Sequence, residues 1–246
     1  ASTKGSSGSA DAPAPVRRIY AMMRIVLLGP PGSGKGTQAT AIEERWGLPH
    51  IASGDLLRAH VKDDSELGRR ARPYMERGDL VPDSLIIDMM AERLSQSDAQ
   101  QGYVLDGFPR TVAQAEALDA RLAALGQQVD AVVYLEVPEA EILRRLSGRR
   151  ICPHCGAIYQ LDTMPPAQEG VCDKCGAALV QRTDEQPEVV RNRLRVYEVQ
   201  TEPLLAYYQA QRRLHKVDGT IGVDNVMKEI ARLLEEASQG AGEAAR

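Results

Sequence analysis

Gly29-Pro-Pro-Gly-Ser-Gly-Lys-Gly-Thr37 is the stretch that decides the fold. The apolar run Ile25-Val26-Leu27-Leu28 precedes it and reads as a buried strand. The amphipathic segment Gln38–Trp46 follows and reads as a helix. Strand, glycine-rich loop with lysine, helix is the layout of a phosphate-binding P-loop. The glycines let backbone N–H groups turn inward around a polyphosphate, and the helix start adds unpaired donors and partial positive charge. Lys35 can then reach the β and γ phosphates. The spacing Gly29-x4-Gly34-Lys35 fits the general motif, but the next residue is Gly36 where Ser or Thr is usual, and Thr37 stands one step later. That ending points away from the GTPase and motor branches and towards small nucleotide kinases. A plain glycine-rich turn with a surface lysine is the alternative, and the flanking strand and helix weigh against it.

Around this motif, composition sets bounds. The chain has 246 residues, 43% of them hydrophobic, enough for one good core and a small appended lobe. A net charge of −4 gives no reason to expect a general nucleic-acid partner. One Trp and one Phe leave little for stacking single strands. No apolar run approaches the roughly 20 residues that span a bilayer. Residues 1–21 are rich in Ser, Ala, Gly and Pro and lack the apolar core of a signal peptide. They are expected to be a disordered extension or tag, with Met22 or Met23 as the natural start. The expected location is the cytoplasm, where free thiols and metal sites are favoured over structural disulfides.

Further along, Pro49-His50-Ile51 suggests a short strand and Ser53 a helix cap. Helical patterns follow at Asp55–Lys62, Glu66–Arg77 and from Pro82 to Ser95. Gly102–Asp106 reads as a strand, Thr111–Leu125 as a helix, Val129–Val137 as a strand, and Pro138–Gly148 as a helix. The alternation then stops, and resumes with one long helix over Pro187–Gln211, a strand at Leu214–Val217 and a last helix at Val223–Glu236. This order predicts an α/β fold: a P-loop NTPase-type open parallel sheet with helices on both faces. Ligands in such folds sit at the carboxyl ends of the strands, where both the P-loop and Asp106-Gly107 fall.

All four cysteines lie in the interruption: Cys152-Pro-His-Cys155 and Cys172-Asp-Lys-Cys175, with 16 residues between the pairs. Each pair is followed by glycine, Gly156 or Gly176. Two such knuckles have zinc-ribbon spacing, and four thiolates close a tetrahedron with no position for water, so the metal is expected to be structural. Two disulfides or idle thiols are the plainer alternatives, and a four-thiolate site also suits iron. His154 is expected to be exposed. A segment with so few large apolar groups needs a metal in place of a core.

Asp106-Gly107-Phe108-Pro109-Arg110 follows the second long strand. Asp106 is placed to hold waters of a Mg2+ ion at the P-loop, and Arg110 to fork onto a phosphate. Arg145, Arg149, Arg150, Arg182, Arg191 and Arg193 bracket the insert, and Arg58 lies on the helix after Ser53. Phosphoryl transfer needs such positive groups around the equatorial oxygens. If the insert swings, the arginines at its necks arrive only on closure, which would exclude water.

With these residues together, the chain resembles adenylate kinase of the bacterial long-LID type with a zinc-binding four-cysteine LID. The resemblance covers about Met23 to Leu234 and rests on Gly29–Thr37, Ser53–Arg58, Asp106–Arg110 with Gln114, Gly148-Arg149-Arg150 and Val217–Thr220. It implies a CORE at 22–51, 82–147 and 186–236, an AMP-binding helical arm at 52–81, a zinc-ribbon LID at 148–185, and a frayed tail at 237–246. It implies that Gly32, Ser33, Gly34, Lys35, Gly36 and Thr37 bind ATP phosphates, with Arg149, Ile158, Tyr159 and the backbone at Ile221 also on the ATP side. Ser53, Arg58, Asp79, Leu80, Val81, Gly107, Phe108, Pro109, Arg110, Gln114, Arg182 and Arg193 correspond to the AMP site. Lys35, Asp106, Arg110, Arg145, Arg149, Arg182 and Arg193 form the implied catalytic set.

The implied reaction is MgATP + AMP giving two ADP, with Mg2+ and structural Zn2+ as cofactors, ATP, AMP and ADP as partners, and a monomer without nucleic-acid or membrane partners. Gln114 favours adenine because an amide can pair with both a donor and an acceptor edge. The family pattern is departed from at Ser53, where Thr is frequent, and at Asp184-Glu185, where an Asp pair is common. A kinase for UMP, CMP or GMP, a zinc-ribbon nucleic-acid-binding NTPase and an inactive ATP-gated scaffold are the alternatives.

Overall fold

The computed structural model describes residues 22–244. The expected extension, residues 1–21, lies outside the described residues. Five parallel strands form the main sheet in the order β2-β3-β1-β4-β7. They are β1 (Arg24–Leu28), β2 (His50–Ala52), β3 (Tyr103–Asp106), β4 (Ala131–Glu136) and β7 (Leu214–Asp218). All five residues of β1 are buried, as befits a central strand covered on both faces.

Alternation along β1 sorts the two faces. Val26 and Leu28 pack with Ile86 and Met90 of α4 (Asp83–Leu94), Leu118 and Leu122 of α5 (Val112–Ala124), and Leu204 and Tyr208 of α8 (Pro203–Ala210). Ile25 and Leu27 pack with Ala39, Ile42 and Trp46 of α1 (Lys35–Trp46) and Ile230 and Leu234 of α9 (Val223–Ala244). The sheet is therefore the middle of three layers, and its carboxyl edge is left for ligands.

Two elements stand off this sandwich. One is a helical pair, α2 (Ser53–Lys62) and α3 (Glu66–Arg77), inserted between β2 and α4. The limits of α3 follow from its ends: the Ser65 hydroxyl accepts from the Gly68 amide at 3.0 Å, and Gly78 closes the helix at φ 78°. The other is the cysteine insert, with β5 (Arg149–Ile151) antiparallel to β6 (Ile158–Gln160). Its small core is Cys152, Tyr159 and Cys172 with Ala157, Ala177 and Leu179 at the margin. α6 (Glu139–Gly148) and α7 (Pro187–Val196) carry the insert and pack through Ile142, Leu146, Val190 and Leu194.

Three local expectations need correction. The single helix over Pro187–Gln211 is α7, a π turn at Tyr197–Thr201, and α8. Pro203 has no N–H to give, so the ladder shifts before it: the Glu202 amide reaches back five residues to the Tyr197 carbonyl at 2.9 Å. Ser53 is not a cap. It is the first residue of α2, and its hydroxyl donates to the Gly107 carbonyl at 2.6 Å. The last helix runs on to Ala244 through the expected frayed tail, although apolar periodicity ends at Leu234.

Candidate active site and thiolate cage

The loop after β1 is shaped by close approach. A side chain at Gly29 would stand 2.7 Å from Ser33 Oγ and 2.9 Å from the Leu135 carbonyl, and its φ is 146°. Gly34 precedes α1 in the left-handed region and supplies no capping side chain. The amides of Lys35, Gly36 and Thr37 therefore have no acceptor within the helix, and they head its positive end. Lys35 is folded back: its Nζ donates to the carbonyls of Gly29 at 2.7 Å and Pro30 at 2.9 Å. Burial draws its pKa down to about 8; Asp106 opposes the shift, while Arg110, Arg193 and Arg149 add to it. The loop is thus a cradle whose own lysine is held in reserve against its backbone.

Asp106 ends β3, level with Leu27 of β1 and Ala52 of β2. Burial alone would raise its carboxyl pKa, but His50, Lys35 and Arg110 more than offset this, so it is held below the usual range and ionised. His50 Nε2 stands 3.6 Å from Asp106 Oδ2, and although burial opposes it, this carboxylate raises the imidazole pKa above its ordinary value. A methyl on Gly36 would lie 3.4 Å from Asp106 Oδ2 and 3.9 Å from Ile158 Cδ1. The glycine that breaks the general motif is where the loop, the acidic turn and the cysteine insert meet, and the insert is seated over the loop.

Gly29, Pro31 and Lys35 of the loop line one cavity together with Leu80, Arg110 and Arg193, and a second cavity opens beside it. Ser53, Arg58, Asp79–Val81, Gly107, Arg110, Gln114 and Asp184 line the second, and Arg193 is shared with the cavity of Lys35. Gln114 is tied at both ends of its amide: Oε1 accepts from the Arg110 amide at 2.8 Å, and Nε2 donates to Asp83 at 2.7 Å. One N–H and one lone pair remain for a ligand. Arg110 Nε donates to the Gly107 carbonyl at 2.8 Å, and the side chain lines both cavities.

At the neck of the insert, charges interlock. Arg149 donates to Glu185, Arg193 Nη1 donates to Asp184 Oδ2 at 2.8 Å, and Arg182 lies 3.8 Å from Asp55. Arg182 and Arg193 are both drawn down to about 10, first by burial and then by neighbouring guanidinium groups. Such a crowd of buried cations is stable only if anions share the space. Arg145 is different: its Nε donates to Glu141 at 2.7 Å, Nη1 to the Ser33 carbonyl at 3.2 Å and Nη2 to the Gly219 carbonyl at 2.8 Å. It braces the P-loop against the turn after β7.

The four cysteines are free thiols whose Sγ atoms all lie within 4.8 Å of one another. Cys152–Cys175 and Cys155–Cys172 are 3.4 and 3.5 Å apart. A Zn–S bond of about 2.3 Å gives a tetrahedral edge of about 3.8 Å, so the cage has the right size. The two knuckles are built alike: Gly156 and Gly176 donate to the carbonyls of Cys152 and Cys172 at 3.0 and 2.8 Å. His154 is exposed, as expected, and is not one of the clustered ligands.

A P-loop thus faces a second cavity across a set of arginines, beside the four-cysteine insert. The family model described as adenylate kinase matches residues 27–213. The chain belongs to the adenylate kinase family. The adenylate kinase of Archaeoglobus fulgidus is 50% identical over 214 residues, covering 87% of this chain and 99% of that protein. The adenylate kinase of Lachnospira eligens is 49% identical over 212 residues, covering 86% and 100%. That of Clostridium perfringens is 48% identical over 212 residues, covering 86% and 98%.

Within this adenylate kinase fold, Lys35, Asp106, Arg110, Arg149 and Arg193 share one electrostatic neighbourhood. Some expected contacts are differently placed. The Tyr159 side chain is buried in the core of the insert, where its hydroxyl accepts from the Asp173 amide at 2.8 Å. Phe108 is likewise core, joined to Pro109 by a cis peptide bond. The Ile221 carbonyl accepts from Asn225 at 3.0 Å. Sequence reasoning missed His50, Asp83 and Asn192, and gave Glu185 no partner. His50 could have been found from its place on a strand whose carboxyl end enters the site. The others answer to partners far along the chain, and carry no local pattern.

Proposed function

We infer that this chain catalyses reversible transfer of the γ-phosphoryl group of ATP to AMP, giving two ADP. The observation that carries this reading is the convergence of Lys35, Arg110, Arg149 and Arg193 between the P-loop and the cavity of Arg58 and Gln114. On this reading Gly32–Thr37 cradle the ATP phosphates, with Lys35 swinging from its own carbonyls onto them. The insert brings Arg149 and Ile158 to ATP, and the turn at Ile221 faces the donor base. Ser53, Arg58, Asp79–Val81, Gly107–Arg110 and Gln114 hold AMP, with Arg182 and Arg193 around the transferring group. An AMP phosphate oxygen is already an anionic nucleophile, so no strong base is needed. Catalysis is alignment plus charge stabilisation at the equatorial oxygens.

Asp106 would hold the waters of the Mg2+ that accompanies ATP, which adds positive charge at the β and γ oxygens. Cys152, Cys155, Cys172 and Cys175 would hold a structural zinc. The CORE, arm and LID divide at 52–81 and 148–185, and LID closure dries the transfer site. A cytoplasmic monomer fits the four free thiols and the scattered exposed apolar residues. No helix among the described residues is long and apolar enough to cross a membrane. The deciding experiment is ADP formation from ATP with AMP, UMP, CMP and GMP in turn: AMP should be preferred by orders of magnitude, and equal use of another acceptor overturns the assignment.

A further inference from the structure

The helical arm touches α7 at its C-terminal turn, and the contact is built around one amide. Asn192 Nδ2 donates to the Arg77 carbonyl at 2.8 Å and to Asp79 Oδ1 at 2.8 Å. Its Oδ1 accepts from Arg195 Nη2 at 2.8 Å. Two acceptors on the arm and a guanidinium on α7 leave the amide a single sensible orientation. The Arg77 carbonyl lies in the last turn of α3, where no N–H of the helix can donate to it. The Asp79 carboxylate is shared between Asn192 and Arg77 Nε, the latter at 2.9 Å.

Between these two anchors lies Gly78. A side chain there would stand 2.7 Å from Arg193 Cγ and 3.0 Å from the Val189 carbonyl. The arm therefore rests on α7 through bare backbone, and the φ of 78° independently asks for glycine. The next residue of α7 after the gripping amide is Arg193, which borders both cavities. The segment on the other side of Gly78, Asp79–Val81, walls the second cavity.

We propose that Asn192 is a positioning residue that latches the arm onto α7 and so sets the wall of the acceptor cavity in register with Arg193. The proposal rests on the AMP-kinase reading above. Asn192 itself does not line either cavity, and it acts through Arg77 and Asp79. Closing the arm forms both of its cross-contacts at once, so part of the energy of holding AMP is supplied by protein atoms that AMP never touches.

The test uses the full chain, with separate titrations of AMP and ATP and hydrogen–deuterium exchange of residues 66–81. Asn192→Ala should raise KM for AMP about tenfold, the effect of losing one or two net hydrogen bonds. KM for ATP and kcat at saturating AMP should stay unchanged, and exchange of the arm amides should quicken. Asn192→Asp sets a second carboxylate against Asp79 and should raise KM for AMP at least as far. Arg195→Ala, which removes the orienting bond on the exposed side and a cation near Asp79 but neither cross-contact, should give a smaller rise of the same sign. An unchanged KM for AMP in Asn192→Ala overturns the latch, and so does a parallel rise in both KM values with a drop in Tm, which marks a general structural role. A wild-type protein that makes no ADP from ATP and AMP fails the function instead, and the two failures are thereby distinct.

Discussion

Arg149 donates from Nε and Nη2 to a single oxygen of Glu185, a carboxylate with no solvent-exposed side-chain surface. The second oxygen of that carboxylate is buried and has no hydrogen-bond partner among the described residues. The pair joins the first strand of the insert to its far neck. A phosphate that recruits Arg149 must therefore displace, or share it with, an internal anion. Removing the charge with Glu185→Gln should cost the nucleotide-free protein about 3 kcal/mol, because it removes the buried anion to which the Arg149 guanidinium is bonded. MgATP should restore most of that loss, since its phosphates supply the missing anion. Thermal melts with and without MgATP check this; an equal deficit in both would show that Arg149 does not change partners.

Lys35 makes nucleotide binding depend on pH in a defined direction. With a pKa near 8 in the free protein it carries its charge below that value and loses it above. ATP phosphates favour the charged form, so binding above pH 8 must also take up a proton. Affinity should therefore be full near neutrality and about tenfold weaker at pH 9 than at pH 7. Calorimetric titration of ATP across that range, with Lys35→Met as the control that flattens the profile, gives the answer. A flat wild-type profile would mean that the lysine remains charged throughout.

Lys35→Ala and Arg110→Ala should each lower turnover by about two to three orders of magnitude, the usual cost of removing one preorganised stabilising group. Far-UV circular dichroism should be unchanged for both. Near-normal turnover in either would remove that residue from the transfer step.

The thiolate cage predicts about one zinc per chain, four ligands being the full tetrahedral set. Metal analysis of protein purified without chelator measures it directly, and also separates zinc from iron. Cys175→Ser, or prolonged chelation, should lower the temperature at which activity is lost. Metal-free protein with unaltered heat resistance would show that the cage is ornamental.

Much of this architecture was legible because its signals are local. The P-loop is nine adjacent residues, each knuckle is four, and the limits of α3 are written in Ser65 and Gly78. The parallel sheet followed from alternation alone. What could not be read depends on atoms that meet only after folding. Ser53 looks like a cap until the Gly107 carbonyl arrives beside it. Tyr159 looks like a ligand contact until Cys172 and Asp173 close around it. The π turn before Pro203 was hidden because an apolar pattern continues through it, and periodicity does not register one extra residue in the ladder. Arg145 belonged by position to the catalytic set, yet its hydrogen bonds are spent on Ser33 and Gly219.

The insert has its own two-stranded sheet and a core of two thiols, a tyrosine and small side chains, while the five-stranded sheet is sealed by helices on both faces. These are two folding units of very unequal strength on one chain, and the weaker one carries Arg149 and Ile158 over the P-loop. Heat should reach them in sequence. The enzyme would fall silent while its main sheet is still intact, and cooling with metal present would bring it back. On the zinc reading, its working temperature is governed by an ion and four sulfur atoms, whatever the reserve of the hydrocarbon interior beneath them.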